Sequence, residues 1–255
     1  MNGTLCVVLL IVAAAGRADP PITVYVGDPV VDGSILEPYQ NEWTFSYQNP
    51  GEDAVKAGRW TDALQRKIVR GRSVMVRTQV AVYDKKGLKV VTVNTFEPKT
   101  MAPISMDWSM GSGSLGLNQR EFSGTHVKFR RRPRIRKMGD EPGNLTEGEA
   151  TLEVPPFDFF GGMYGLLLAA LPLREGLSIR FPAIEEDKEA LSWVEVRVRG
   201  RSRVAAGKAR TVEAWVVTAE THDGPMTFWL TRRPPYIIKL EFHPVGGPAW
   251  FYSMV

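Results

Sequence analysis

The chain has 255 residues, of which 44% are hydrophobic and 24% are charged, and its formal net charge is +4 at pH 7. These values are ordinary for a globular protein, and the length suffices for one large β domain or two small ones. The mild positive charge does not by itself indicate a protein that binds nucleic acid.

An apolar run begins the sequence. Residues 5–15 are nearly all apolar, and Gly16-Arg17-Ala18 then provides a small-x-small cleavage site before Asp19. Because this run is shorter than the roughly 20 apolar residues that span a bilayer, it predicts a secretory signal peptide over residues 1–18. Cys6 is the only cysteine, so the mature protein would have no thiol. We therefore expect a periplasmic or secreted bacterial protein.

The segment after the leader predicts an extended start to the fold. Residues 19–42 mix prolines, glycines and short β-branched pieces, which predicts a loose N-terminal arm. Residues 43–47 alternate aromatic and polar side chains, as a strand does. Residues 53–63 predict a helical turn that Gly58 interrupts.

The clearest local motif is a β-hairpin. Every second residue from Val74 to Val82 is Val or Thr, whereas Arg77 and Gln79 occupy alternate positions. Successive side chains of a strand point to opposite faces, so we expect an apolar face made by the valines and a wet face that carries Arg77 and Gln79. A turn at residues 84–87 then leads to a partner strand over residues 88–96.

Glycines, prolines and serines interrupt the next segment. Residues 105–119 are rich in Gly and Ser, and they predict a loop that carries Asp107 and Trp108. Residues 122–132 predict one strand, and residues 138–148 predict a long turn.

A strongly apolar stretch occupies residues 157–171. Its second half contains good helix formers, and Pro172 favours a helix that ends at Leu171. We predict a short helix here, buried or capping the mouth of a sheet, and it is the best candidate for a lid over an apolar cleft.

The C-terminal part predicts a β-meander, because short apolar segments alternate with Gly, Pro and Asp turns. The expected strands are 193–199, 210–220, 226–231, 236–242 and 248–254.

Short segments spread along the chain carry a family resemblance. They include Thr95-Phe96-Glu97-Pro98-Lys99, Leu171-Pro172-Leu173-Arg174-Glu175-Gly176 and Pro235-Tyr236-Ile237-Ile238-Lys239-Leu240. Together they resemble an uncharacterised family of exported bacterial β proteins, a domain of unknown function that is similar in shape to the lipoprotein-carrier half-barrels of the envelope. The resemblance implies a fold and a compartment, and it assigns no catalytic residue.

Apolar side chains of the predicted helix and strands are candidate ligand contacts. Such residues fill a core in most proteins, but they can equally line a cleft for acyl chains or sugars. The candidates for binding an apolar or amphipathic ligand are Trp108, Phe160, Tyr164, Leu167, Trp215 and Trp229.

A row of cations follows the predicted loop. Alternate side chains of an extended strand share one face at intervals of about 6–7 Å, and such a row could contact anionic lipid headgroups or a polyanionic glycan. The alternative is a solvated edge strand whose charge blocks aggregation. Nucleic acid is not expected, because only Phe129 interleaves with the cations. The candidates are Lys128, Arg130, Arg132, Arg134 and Arg136.

No motif identifies a reaction. The segment 111–116 matches GxGxxG, but no helix is predicted after it, so we expect no dinucleotide cofactor. The three histidines lack metal-ligand spacing, so we expect no metal site. Glu97 and Asp107 flank the loop with Trp108, where they could act as catalytic carboxylates or anchor the loop.

Together these patterns predict a mainly β fold, namely an antiparallel half-open β-barrel or curved sheet with a C-terminal meander and one short helix. A single β domain is expected over residues 43–255, with no transmembrane span. The leading hypothesis is a non-enzymatic exported envelope protein that binds an apolar or amphipathic ligand, or a partner, in the cleft of the half-barrel. The alternatives are a hydrolase that uses Glu97 or Asp107, and a structural envelope component whose sheet edge pairs with a partner.

Overall fold

A computed structural model describes residues 20–85, 87–135, 140–185, 188–207 and 210–255. The predicted signal peptide over residues 1–18 and the predicted surface residue Arg136 lie outside the described residues. The described chain forms one sheet of 15 strands and a short helical segment, which confirms the mainly β prediction. Within those ranges, no helix combines the length and the apolar character that crossing a membrane requires.

The strands of the first half follow each other as hairpins after a short arm. Gly33–Ile35 forms one turn of 3₁₀-helix within the arm. The strands are β1 (Ile22–Thr23), β2 (Tyr39–Gln48), β3 (Val55–Val69), β4 (Arg72–Tyr83), β5 (Leu88–Phe96), β6 (Pro103–Met110), β7 (Gly116–Ser123), β8 (His126–Arg132) and β9 (Thr146–Thr151).

The second half contains the helical segment and then the predicted meander. A wide turn over Phe159–Met163 leads into the helix α1 (Tyr164–Ala169). The remaining strands are β10 (Ser178–Ile184), β11 (Leu191–Ala206), β12 (Arg210–Thr221), β13 (Gly224–Leu230), β14 (Ile237–Phe242) and β15 (Ala249–Met254).

The sheet is an open antiparallel meander in which the last strand joins the first long one. Its order runs β1, then β10 to β15, then β2 to β9, so β15 pairs with β2 in the middle. All neighbours are antiparallel except β1 and β10. The two ends of the sheet are not joined by strand pairing, which agrees with the predicted half-open barrel.

The helical segment fills the concave side of the sheet. Phe159, Leu166 and Leu168 are fully buried, and they belong to the same hydrophobic core as the inner side chains of β2, β3 and β10 to β14. The segment is therefore a plug inside the curved sheet, and we call residues Phe159–Ala169 the plug. The predicted helix over 157–171 is confirmed in type and place, although it is shorter than expected.

The structure departs from the predicted faces in the second half of β4. Val74 and Val76 are buried as expected, but Arg77 and Gln79 are buried on the concave side, whereas Val82 is 40% exposed. The expectation that valines mark the core face is therefore wrong for this half of the strand. Arg77 can point inward because it finds hydrogen-bonding partners inside the barrel, which compensate its burial.

Four local predictions also differ from the structure. Residues 55–63 of the predicted helical turn lie in β3, and Gly58 allows close strand approach, because a Cβ atom there would collide with the carbonyl oxygen of Val82. The predicted loop over 105–119 is largely strand, in β6 and β7. The single strand expected over 122–132 is the hairpin of β7 and β8, and the turn predicted over 138–148 ends in β9.

The exposed edge of β10 is covered at both ends. Val24 donates its N–H to the carbonyl oxygen of Arg180 at 2.9 Å, and Phe157 donates to that of Pro182 at 2.9 Å. Val127, Leu152 and Ile184 form a small apolar cluster that joins β8 to β10 across the opening. We call this junction the seam. Covering the edge leaves little unpaired backbone there for another chain to pair with.

Candidate functional site

A cleft of about 240 Å³ lies between the plug and the concave face of the sheet. It is lined by side chains from β2 to β6, from the plug and from β13 to β15, so both halves of the sheet contribute. Eight aromatic residues form most of its wall: Phe45, Trp60, Tyr83, Trp108, Phe160, Tyr164, Phe242 and Tyr252.

The aromatic wall is held by ring-to-ring contacts. The Phe45 ring stacks on Tyr252 at 5.8 Å and meets Tyr83 edge-on at 5.1 Å between centroids. Trp60 meets Tyr252 edge-on at 5.3 Å. Such pairs add stability beyond their buried area, so they favour a wall of fixed shape.

Three of the six predicted ligand-binding residues line this cleft. Trp108, Phe160 and Tyr164 do so, whereas Leu167 is buried in the core. Two tryptophans are covered by cations instead: the Trp215 ring lies 4.4 Å from the guanidinium of Arg201, and the Trp229 ring lies 4.5 Å from the Nζ atom of Lys239. The structure therefore brings together half of the predicted set.

Polar groups are placed at the rim of the cleft. Arg134 and Asp223 both line it, and Arg134 is exposed. His222 contacts the Phe160 ring at 4.8 Å between centroids, and its Nε2 atom lies 3.2 Å from Oδ1 of Asp223. Charged groups therefore lie beside an apolar interior.

Two tyrosine hydroxyls of the cleft, those of Tyr83 and Tyr252, stay neutral. Burial raises the pKa of Tyr252 well above its ordinary value. Burial also raises the pKa of Tyr83, although the charge of Arg134 opposes that effect. Neutral hydroxyls can both donate and accept hydrogen bonds, so they can contact a polar group without adding charge to the site.

A buried ion pair supports the plug beside the cleft. Arg77 donates from Nε to Oδ1 of Asp62 at 2.9 Å and from Nη2 to Oδ2 at 2.6 Å. Its Nη1 atom donates to the carbonyl oxygen of Gly162 at 2.6 Å. Burial alone would lower the pKa of Arg77, but the Asp62 carboxylate and Tyr39 together outweigh that effect, so the guanidinium stays charged.

A second buried contact holds the start of the plug. Asn94 donates from Nδ2 to Oδ2 of Asp158 at 2.7 Å and to the carbonyl oxygen of Gly161 at 2.8 Å. Burial raises the pKa of Asp158 to about 6, against the opposing effects of Arg120 and Asn94. We call the buried residues Asp62, Arg77, Asn94 and Asp158 the polar belt.

Sequence reasoning missed the polar belt. Its members on β3, β4 and β5 occupy neighbouring positions, since Arg77 lies opposite Asn94 in the sheet register. The available signal was their position: polar residues alternate with β-branched ones on β4 and β5. That pattern does not show which face is inside, because a curved sheet can bury either face.

Two cations of the predicted row pair with neighbouring carboxylates. Lys128 pairs with Glu149 at 3.2 Å and Arg130 with Glu147 at 2.8 Å. Arg132 donates from Nη1 to the carbonyl oxygen of Gly113 at 3.1 Å. Arg134 is not part of the row on β8. It follows the end of that strand and lines the cleft instead.

The two candidate catalytic carboxylates lie outside the cleft. The Oε2 atom of Glu97 accepts hydrogen bonds from the N–H groups of Lys99 and Thr100 at 2.9 and 2.6 Å. Burial raises the pKa of Glu97, but the bonds from Thr100 and Lys99 together lower it below the ordinary value. Asp107 is exposed on β6 and accepts from Nε2 of Gln119 at 3.1 Å. Both contacts are those of structural anchors.

The other candidate motifs have local roles. Gly111 to Leu115 form the turn between β6 and β7, and a strand follows them. Across the described ranges, no group of three or more His, Cys, Asp or Glu residues is arranged to hold a metal ion.

Comparison with known proteins supports the fold and gives a family. A beta-barrel-like protein of domain of unknown function DUF1849 from Brucella abortus has a similar solved structure, with a TM-score of 0.55 and 10% sequence identity. The similarity covers 86% of this chain and 96% of that one, and at this identity it concerns the fold alone. No curated protein matches the chain. A family model matches residues 55–247, and the chain therefore belongs to the family described as protein of unknown function (DUF3108).

Proposed function

We propose that this protein binds an amphiphilic molecule in its aromatic cleft, as an exported component of a bacterial envelope. The observation that carries the proposal is the cleft of about 240 Å³ with eight aromatic side chains in its wall. Two features hold the shape of this cleft: the paired rings of its wall, and a plug that polar contacts fix in place.

The size of the cleft limits the ligand. An apolar cavity of about 150 Å³ is enough to hold a benzene molecule, and sites for drug-sized ligands begin near 300 Å³. The cleft therefore suits one short acyl chain or one aromatic group. A lipid with several long chains would have to leave most of its apolar part outside.

The polarity of the rim supports an amphiphile over a pure hydrocarbon. Arg134, Asp223 and the neutral hydroxyls of Tyr83 and Tyr252 belong to the same cleft. A ligand with an apolar part among the rings and a polar end at the rim would satisfy both kinds of surface.

Filling the cleft tests the proposal. Ala81 lines it, so Ala81→Leu adds apolar volume without removing any side chain of the wall. We expect decanoate or an alkyl glucoside to bind the wild type in native mass spectrometry and in a tryptophan fluorescence titration. The Ala81→Leu variant should lose at least about tenfold in affinity, which is the effect of one or two misplaced methylenes in a pocket.

The matched control is Ala205→Leu, because Ala205 is exposed on β11 and does not line the cleft. It should bind like the wild type. Equal affinity in all three proteins, or no binding of either probe by the wild type, would overturn the proposal.

The hydrolase and the structural envelope component stay predictions that the site geometry does not favour. Glu97 and Asp107 are engaged in local hydrogen bonds away from the cleft. An esterase, glycosidase and phosphatase screen with Glu97→Gln and Asp107→Asn would reveal a hydrolase, since a true activity should fall in one variant without a change in melting temperature.

A further inference from the structure

We propose that the outer face of β10 and β11, together with β1, docks onto an anionic lipid bilayer. This inference is independent of the cleft, which lies on the other side of the sheet. The docking face is defined by Tyr25, Arg180, Trp193, Arg197 and Arg199.

Two large aromatic side chains are exposed on this face, although most large apolar side chains of the described chain are buried in the core. The exposed fractions are 41% for Tyr25 and 42% for Trp193. The two rings meet edge-on at 6.3 Å between ring centroids. Exposed Tyr and Trp side chains are typical of the depth at which proteins contact the headgroup region of a bilayer.

Cations surround these apolar groups. The Arg180 guanidinium lies 5.0 Å from the Trp193 ring, and its Nε atom donates to Oγ1 of Thr23 at 2.9 Å. Arg197 and Arg199 project from the same exposed face of β11, since alternate residues of a strand share a face. The face is therefore apolar at its centre and basic at its border.

A shallow depression of about 470 Å³ brings three of the arginines together. Arg174, Arg197 and Arg199 line it with Ile22, and Glu175 is its single acidic residue. In the part of the chain that the structure describes, these three arginines make no ion pair with a carboxylate. A phosphate headgroup would supply the missing negative charge, and guanidinium groups suit phosphate geometry.

Two acids share this outer face outside the depression. Glu195 lies between Trp193 and Arg197 on the exposed face of β11, opposite Arg180 on β10 and Glu220 on β12, and neither acid lines the depression. Farther along β11, Arg201 pairs with Glu213 at 2.9 Å. The positive excess of the face therefore lies at the depression, with Arg174, Arg197 and Arg199.

The combination favours a membrane over a soluble polyanion. A glycan or a nucleic acid would use the cations but would leave Tyr25 and Trp193 exposed to water. A bilayer with anionic lipids uses both, because its headgroups attract cations and its interface accepts aromatic rings.

Vesicle sedimentation with the full chain tests the docking face. We expect more protein on vesicles of equimolar phosphatidylglycerol and phosphatidylcholine than on phosphatidylcholine alone, and the difference should shrink as salt rises. The Arg197→Gln/Arg199→Gln double variant should bind the anionic vesicles about thirtyfold more weakly, because each basic residue near such a surface contributes about fivefold.

The matched control is Lys128→Gln/Arg130→Gln, which removes the same charge from the ion-paired row on β8. It should bind nearly as well as the wild type. All variants keep the same N-terminal segment, so any contribution from that segment is common to them. An equal loss in both double variants would overturn the proposal, because it would show a net-charge effect.

Two further readouts separate a bilayer from other anions. Quenching of tryptophan fluorescence by brominated lipid should decrease in Trp193→Phe, as expected if Trp193 enters the interface. Competition by millimolar inorganic phosphate that abolishes vesicle binding would overturn the proposal in favour of a site for free phosphate. Unchanged quenching in Trp193→Phe would also overturn it. Circular dichroism of each variant confirms that the sheet is folded.

Discussion

At the scale of single residues, buried polar groups decide how the plug is held. Arg77 and Asp62 are fully buried together, and replacing such a pair with apolar residues of equal volume is often neutral or stabilising. The net gain in stability is therefore not a sufficient reason for their presence. The pair also fixes the path of the backbone at the plug. The third hydrogen bond of Arg77 goes to the carbonyl oxygen of Gly162, where the chain turns.

The contribution of Asp158 to the free energy of unfolding depends on pH. Its folded pKa of about 6 lies above the ordinary value of 3.8, because burial disfavours the charged form. The folded state therefore binds the proton more tightly than the unfolded chain. The contribution of Asp158 to stability is most favourable below about pH 4 and declines as the pH rises toward 6.

This decline with rising pH gives a prediction for Asp158→Asn, whose side-chain amide does not titrate. The free energy of unfolding of the variant minus that of the wild type should increase between pH 4 and pH 7, by at most about 3 kcal/mol. Urea unfolding at four pH values measures it. A difference that stays flat or decreases over this range would contradict the raised pKa.

At the scale of elements, sequence patterns located most strands but not their inner faces. The hairpin of β4 and β5 and the five strands of the meander were predicted close to their observed places, because turn residues bracket short β-branched segments. No strand was predicted at β10, and strands β3, β6, β9 and most of β7 were missed. Their Gly, Ser and charged residues lower β propensity, so these segments become strands through pairing with their neighbours in the sheet. For β9 that neighbour is β8, and the others have a neighbour on each side.

The candidate site was partly predictable for a related reason. Aromatic residues near the plug could be identified by composition, as Phe160 and Tyr164 were. Tyr252 and Phe45 reach the same cleft from opposite ends of the sequence, and they meet only because β15 pairs with β2. A local pattern cannot reveal such a contact.

The plug turn depends on one glycine. Gly162 has φ 110°, a region that disfavours other residues, and a Cβ atom there would lie 2.6 Å from Oε1 of Gln79. We expect Gly162→Ala to lower the free energy of unfolding by about 2–5 kcal/mol, from backbone strain and overpacking together. Chemical denaturation gives the value.

Gly51→Ala provides the comparison, because Gly51 also has a positive φ of 78° but open space around it. Its cost should be only the strain of about 1–2 kcal/mol. If both variants lost the same stability, the proposed close approach of the plug to the sheet would be wrong.

At the scale of the whole molecule, side chains complete what strand pairing leaves open. β9 has a partner on one side only, and the seam links it to β10 through the cluster of Val127, Leu152 and Ile184. Arg131 and Glu189 add an ion pair of 3.3 Å across the same opening. The two sides of the opening are therefore held together by these few side-chain contacts rather than by strand pairing.

Weakening the seam should open one side of the barrel selectively. Ile184→Ala removes a fully buried side chain, at a cost of about 2–5 kcal/mol. We expect faster amide hydrogen exchange in β8 and β9, with β2 and β15 still protected. The control is Ile104→Ala, whose side chain is exposed on β6. A uniform rise in exchange over all strands would show that the seam is not an independent unit.

The pairing of β15 with β2 has a consequence for biosynthesis. Met254 lies opposite Trp43, and Val255 donates its N–H to the carbonyl oxygen of Glu42 at 3.0 Å. The centre of the sheet can therefore form only after β15 has left the ribosome. Until then β14 and β2 both lack the neighbour that β15 provides. A product truncated near Gly246 would therefore be a substrate for proteases and chaperones.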